Sequence, residues 1–239
     1  MKRALITGGS GQIGAAISRQ LAQEHLHVIV HAHRNRAAAE TVTNQIITAG
    51  GSASVACFDV SDAMATQHAL AQILETGPIQ VLVNNAGIHD DAPMAGMRLD
   101  QWNHVLAVSL GGFFNVTQPL LLPMIGTRWG RIITISSISA LIGNRGQTNY
   151  AAAKAGLHGA SKSLAQEVAS RGVTVNVVAL GFIESRMIEQ SCKPEKIESL
   201  VPMKRAGTPQ EVADLVGFLA SEKAGYLSGQ VISLNGGMA

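Results

Sequence analysis

Tyr150 and Lys154 bracket the run Tyr150-Ala-Ala-Ala-Lys154, and Ser137 lies a short way upstream. On a helix this i, i+4 spacing puts phenol and ammonium on one face. A cation beside the phenol would favour its ionised form and turn a weak acid into a usable proton donor. Ser137 follows the β-rich run Arg131-Ile-Ile-Thr-Ile135, where a strand would deliver its hydroxyl to the carboxyl edge of a sheet, within reach of a substrate oxygen. The Tyr/Lys pair on its own equally describes an ordinary solvated helix surface, so its weight comes from the elements around it.

Short apolar runs recur at residues 4–7, 27–32, 54–58, 81–84, 131–136, 173–178 and 230–234, with amphipathic stretches near 13–25, 36–49, 62–76, 100–122, 149–170 and 209–221. Strands alternating with helices predict right-handed crossovers and an α/β fold, a doubly wound parallel sheet of about seven strands with helices on both faces. The strands are continuous apolar runs, as when both faces are covered. Residues 182–206 break the rhythm with polar residues, prolines and scattered Phe182, Met187, Ile188, Ile197, Leu200 and Met203, and read as a mobile helical flap over a cleft.

The first strand runs into Thr7-Gly8-Gly9-Ser10-Gly11-Gln12-Ile13-Gly14 and then a helix. Glycines there let backbone approach a pyrophosphate, while the helix start offers N–H groups and a positive dipole end. Gly8, Ser10, Gly11, Gln12, Ile13 and Gly14 are therefore candidate cofactor contacts. The second strand ends Val30-His31-Ala32-His33-Arg34-Asn35-Arg36, with no acid to bond ribose hydroxyls. Arg34, helped by His33 or Arg36, suits a 2′-phosphate, which points to NADP(H) over NAD(H). His31 and His33 alternate on a strand with no Cys or acid nearby, a poor metal site, and no metal is expected.

A net charge of +2 with scattered Lys and Arg argues against nucleic acid as the main partner. No run reads as a membrane span, and the opening Met1-Lys-Arg-Ala-Leu-Ile-Thr-Gly is cut by glycine too soon for a secretory signal. Cys57 and Cys192 are too few for a disulfide framework and fit a reducing cytosol, with each read as a small buried apolar residue. The 239 residues suffice for one large core, a single domain spanning 1–239.

Taken in order, Thr7 to Gly14, Asp59-Val60, Asn84-Asn85-Ala86-Gly87, Ser137, Tyr150 to Lys154, Asn176 to Met187 and the ending Leu234-Asn235-Gly236-Gly237-Met238 closely resemble the short-chain dehydrogenase/reductase family, and within it the 3-oxoacyl-[acyl-carrier-protein] reductases. The likeness covers essentially the whole chain. It implies a Rossmann-type fold, with Asn85, Ala86 and Gly87 beside the cofactor, Asp59 and Val60 edging the adenine, and Ile183 and Ser185 on the nicotinamide side. It implies that Ser137 orients a carbonyl oxygen, that Tyr150 protonates it, and that Lys154 acidifies the phenol and bonds the nicotinamide ribose. It further implies NADPH as reductant, a 3-oxoacyl thioester on an acyl carrier protein as substrate, and a homotetramer built on the long helices. Fatty acid synthesis and a polyketide or polyene pathway are both open. A dehydrogenase of a small alcohol, sugar or steroid is the other enzyme reading, and a non-catalytic dinucleotide-binding regulator the third.

Arg128 and Arg171 match the basic residues with which similar reductases dock an acidic carrier near the cleft, and equally suit ordinary arginines at helix ends. Met94, Met97, Leu141 and Ile142 suit either an acyl channel or core. Small Ala151, Ala152, Ala155, Gly156 and Gly159 permit close helix packing, against another subunit or the sheet.

Four positions depart from the family pattern. Gln12 stands for a glycine, and its side chain must turn outward or narrow the pyrophosphate pocket, with Gly11 supplying the missing freedom. Ser109 replaces an asparagine that supports a proton-relaying water in the family; a serine there can bond back to a helical carbonyl and bend the helix. Leu180 replaces a proline before Gly181, and Ser185 replaces a threonine while keeping a hydroxyl.

Overall fold

The computed structural model describes residues 1–185 and 194–239. Seven strands form one sheet in the order β3-β2-β1-β4-β5-β6-β7. They are β1 (Arg3–Ile6), β2 (His27–Ala32), β3 (Ser52–Cys57), β4 (Val81–Asn84), β5 (Gly130–Ser137), β6 (Val173–Leu180) and β7 (Val231–Leu234). Every neighbouring pair is parallel. The chain starts in the middle, winds outward to β3, and returns across β1 to lay down β4 and the rest. The carboxyl ends of β1 and β4, where the winding direction reverses, leave the crevice in which such sheets bind ligands.

Alternate side chains of the strands point to opposite faces. Ala4, Ile6, Val28, Val30, Val81 and Val83 pack with α1 (Gln12–Gln23), α2 (Arg36–Thr48) and α9 (Pro209–Ala220). Leu5, Ile29, Leu82 and Ile132 pack on the other side with α3 (Ala63–Leu74), α5 (Gly112–Gly126) and α7 (Thr148–Val168). This is the expected single domain with both sheet faces covered, and the strand and helix bounds lie close to those read from periodicity.

Three features differ from expectation or were not anticipated. A short helix α6 (Ser139–Ile142) follows β5 at once. The stretch read as one helix from 100 to 122 is α4 (Leu99–Leu106), a π turn (Ala107–Gly111) and α5, together 28 residues and apolar enough by length and composition to cross a membrane. Its inner face carries the fully buried Val105, Val116, Leu120 and Met124, and it packs on α3 and α7, as a core helix does.

In the segment read as a flap, Ile183 bridges Gly207 in parallel, so the two ends are tied together. The helix α8 (Pro194–Leu200) lies between them, with Ile197 buried and Leu200 and Met203 exposed. Met187, Ile188 and Cys192 fall outside the described residues.

Candidate active site

The crevice is a cavity of about 500 Å³. The glycine turn and the start of α1 line one end; Ser137, Tyr150 and Lys154 line the other, with Asn85, Ala86, Gly87, Ile183 and Ser185 between. Thr7 stitches the turn to the end of β4. Its hydroxyl donates to the Val83 carbonyl at 3.3 Å and accepts the N–H groups of Asn85 and Ala86, both at 3.0 Å. The Asn85 amide in turn donates to the carbonyls of Thr7 and Gly8, at 2.9 and 3.2 Å.

The residues fit a dinucleotide. Gly8 has φ +63°, a conformation that favours glycine, and a Cβ there would lie 3.0 Å from Asn85 Nδ2. A Cβ on Gly14 would press into the Gly8 carbonyl and within 2.8 Å of Gly9 Cα, so the helix can approach the turn only because position 14 has no side chain. No side chain caps α1, and its first turn holds no acid, which leaves that dipole end to an anion. Gln12 is exposed and also lines the cavity, so its side chain stands at the edge of the expected pyrophosphate pocket. Gly11, expected to supply the freedom, does not: its φ of −77° is open to any residue, and Gly8 carries the strained angle.

His33 and Asp59 do not line the cavity but pair with each other at 3.3 Å just beyond it, at the exits of β2 and β3. Burial pushes the Asp59 carboxyl up, but its bonds from Ser61 and the charges of His33 and Arg34 outweigh this and hold it below the usual carboxylate range. Arg34 is exposed beside this pair, whereas Arg36 is engaged with Glu40 at 2.9 Å. Val60 turns inward, its side chain packed on Gly112 and its carbonyl accepting from Asn115 at 2.9 Å.

At the reacting end, Ser137 and Tyr150 line the same part of the cavity, and Ser137 Oγ accepts the Ser139 N–H at 3.2 Å from the start of α6. The ammonium does stand over the Tyr150 ring, as the shared helix face predicts, but it is not among the groups that shift the phenol. Lys154 Nζ lies 5.7 Å from the centre of the Tyr150 ring and donates to the Ile135 carbonyl at 2.9 Å. Burial pushes the Tyr150 phenol up, the neighbouring Ser137 hydroxyl acts against this, and the Asp91 carboxylate adds to the rise. The phenol is therefore protonated at neutral pH, the form a proton donor needs. Burial also lowers Lys154, to about 8. The lysine has no space to spare: a Cβ on Gly87 would sit 3.1 Å from its Nζ.

Several supporting residues escape a reading of the sequence alone. Ser136 Oγ bonds His158 Nε2 at 2.7 Å and the Lys154 carbonyl at 3.2 Å, and the signal for His158 was only its place one turn beyond Lys154. Asn149, fully buried, donates to the Asp90 carbonyl at 2.9 Å and ties the start of α7 to the loop that carries Asp91. Ser109 does not bond back to a helical carbonyl as expected. Its buried hydroxyl makes no hydrogen bond among the described residues, and the irregularity there is the π turn.

Arg128 and Arg171 are both exposed but precede the strands that end at the cleft, so they sit at the opposite edge of the sheet, next to each other where Gly130 N–H donates to the Gly172 carbonyl at 3.1 Å. Seven steps along β5 separate Gly130 at that edge from Ser137, roughly 23 Å of strand. Their expected place near this chain's own cleft is thus corrected. Met94, on a short turn at Met94–Gly96, and Leu141 and Ile142, on the helix α6 that follows Ser137, are exposed, not core. No group of His, Cys, Asp and Glu among the described residues could hold a metal ion.

A parallel switch-point crevice with a glycine-rich turn at one end and a Ser–Tyr–Lys group at the other is the arrangement of an oxidoreductase that uses a nicotinamide dinucleotide. Comparison with known proteins agrees. The family profile described as Enoyl-(Acyl carrier protein) reductase matches residues 9–239. The chain is 42% identical over 236 residues to the 3-oxoacyl-[acyl-carrier-protein] reductase FabG of Aggregatibacter actinomycetemcomitans, covering 98% of each chain. It is 42% identical over 240 residues to the FabG reductase of Escherichia coli (strain K12), covering 99% of this chain and 97% of that one. The same identity over 240 residues relates it to Nodulation protein G of Azospirillum brasilense, at 99% and 98% coverage. The chain belongs to the short-chain dehydrogenase/reductase family.

Two outcomes are expected. Gly14→Ala forces the helix off the turn, lowering the melting temperature and weakening dinucleotide affinity by about tenfold or more, as read by calorimetry and cofactor titration. For Lys154, the unfolded chain keeps its proton up to about pH 10.5 while the folded chain releases it near 8, so unfolded molecules bind more protons in that window and stability rises with pH. Urea unfolding should show this group adding up to about 3 kcal/mol across the window in the wild type, and the rise should be missing in Lys154→Met.

Proposed function

We propose that the protein reduces a 3-oxoacyl thioester, carried on an acyl carrier protein, to the 3-hydroxyacyl thioester with NADPH, in fatty acid or polyketide and polyene synthesis within the reducing cytoplasm. The observation that carries this reading is that Ser137, Tyr150 and Lys154 line the same cavity as the glycine turn. NADPH, when bound, supplies a hydride for the carbonyl carbon. Ser137 holds the carbonyl oxygen, and Tyr150 gives that oxygen its proton, so the product alcohol gains one hydride and one proton. The ammonium of Lys154 can turn from the Ile135 carbonyl toward a ribose and the phenol. Leu180 and Ile183, both nine-tenths or more buried, keep water from that end of the cavity.

Arg34 and His33 favour NADPH. They stand at the end of β2 with Asp59 already paired, so the corner keeps a free guanidinium for a 2′-phosphate. Exposed Met94, Leu141 and Ile142 beside the cleft suit the acyl chain. A homotetramer is supported by the exposed Ala152, Ala155 and Gly159 on α7 and by Phe114 and Leu122, 63% and 77% exposed, on α5. A carrier partner rests on the names of the relatives. A regulator without catalysis would gain nothing from burying the Lys154 charge, which weakens the fold.

Oxidation of NADPH with 3-oxoacyl groups on a purified carrier, set against 2-enoyl thioesters and a panel of free ketones and alcohols, tests the substrate; equal or faster turnover of the latter groups would overturn the assignment. Tyr150→Phe should cut kcat by about 10²-fold or more while leaving the NADPH dissociation constant within about threefold. Arg34→Glu should weaken NADPH by about tenfold and spare NADH, measured by parallel titrations.

A further inference from the structure

His31 takes no part in the chemistry above, yet it is only 1% exposed and lies directly behind the phosphate turn. Its Nδ1 accepts the N–H of Gly8 at 3.0 Å, and its Nε2 is 2.9 Å from the Phe58 carbonyl. A backbone N–H only donates and a carbonyl only accepts. The ring is therefore neutral and carries its proton on Nε2. The Phe58 ring lies against the imidazole with centroids 4.2 Å apart, which limits how the ring can turn. The imidazole thus joins the first glycine of the turn, whose φ of +63° is set by its surroundings, to the residue just before Asp59.

We propose that His31 is a positioning residue for the dinucleotide, a rigid neutral spacer that fixes the Gly8 amide, and with it the pyrophosphate turn, at a set distance from the Phe58–Asp59 exit of β3 where the adenine end is held. The proposal rests on the reading of the crevice as a dinucleotide site. Its geometry is the two opposed hydrogen bonds; the ionisation of the ring is consistent with them. Burial lowers the His31 value to about 4, with the Phe58 carbonyl and Asp59 acting against that shift and His33 adding to it, so the Nδ1 acceptor persists at neutral pH. A protonated ring would aim an N–H at the Gly8 N–H and break the clamp. The unfolded chain takes up this proton near pH 6.5 and the folded chain resists it to about 4, so the contribution to stability is full above the former and is lost as pH falls toward the latter.

Three variants separate positioning from mere support. His31→Asn keeps an acceptor close to the place of Nδ1 and loses the Phe58 bond; His31→Gln keeps a donor near the place of Nε2 and loses the Gly8 bond; His31→Leu loses both. NADPH titration followed by ligand fluorescence, with the melting temperature of each protein, is expected to show Asn within about threefold of wild type and Gln and Leu weaker by about tenfold, although Asn and Gln lose similar thermal stability. Unchanged affinity in Leu, or affinities that simply follow melting temperature across the set, would overturn the proposal. Should Leu fail to fold, the Asn and Gln pair decides, and equal affinities for those two would sink it. Wild type that binds neither NADPH nor NADH removes the dinucleotide reading itself, an outcome distinct from any result with the variants.

Discussion

The site is organised around one buried cation. Lys154 enters the edge of the core from α7, and among the described residues its ammonium donates to the Ile135 carbonyl. Burying a charge with so little compensation lowers its proton affinity and opposes folding. Neighbouring choices follow from keeping it there. A Cβ on Gly87 would crowd the ammonium at 3.1 Å, and Ser136, itself bonded to His158, donates to the backbone carbonyl of the lysine. The phenol one turn earlier is partly buried beside it, and the Ser137 hydroxyl acts to favour its ionised form. The protein thus stores a charged, partly desolvated lysine where it can be turned toward a ligand.

The other end of the crevice is organised by backbone. There the hydroxyl of Thr7 gathers the ends of β1 and β4, Asn85 holds the carbonyls of Thr7 and Gly8, and His31 holds the Gly8 amide from behind. Each of these side chains is spent on main-chain groups, which would otherwise be buried without partners. The cavity therefore offers a ligand a surface whose shape is fixed before anything binds, which limits the ordering cost of association.

Much of this was legible because periodicity and punctuation are local. Continuous apolar runs gave the strands away, and Gly8, Gly14, Ser137, Tyr150 and Lys154 all fall in the crevice that the strand order creates. What the sequence could not convey was direction in space. Whether Lys154 points to Tyr150 or to Ile135, and which glycine bears the positive φ, depend on contacts between segments far apart in the chain. Arg128 and Arg171 were misplaced for the same reason, since the edge of the sheet on which a loop emerges is a property of topology. His31 read as a failed metal ligand because its partners, Gly8 and Phe58, lie on other elements.

The π turn at Ala107–Gly111 has a consequence for the whole helix that contains it. Val105 and Met124, both fully buried, stand nineteen positions apart, and at about 100° per residue a regular helix would bring them more than a quarter of a revolution out of phase. The widened turn absorbs roughly one residue of that winding, which leaves close to five whole revolutions between them. The local overwide coil acts as a phase correction, allowing one long rod to keep the same side on the protein interior from beginning to end.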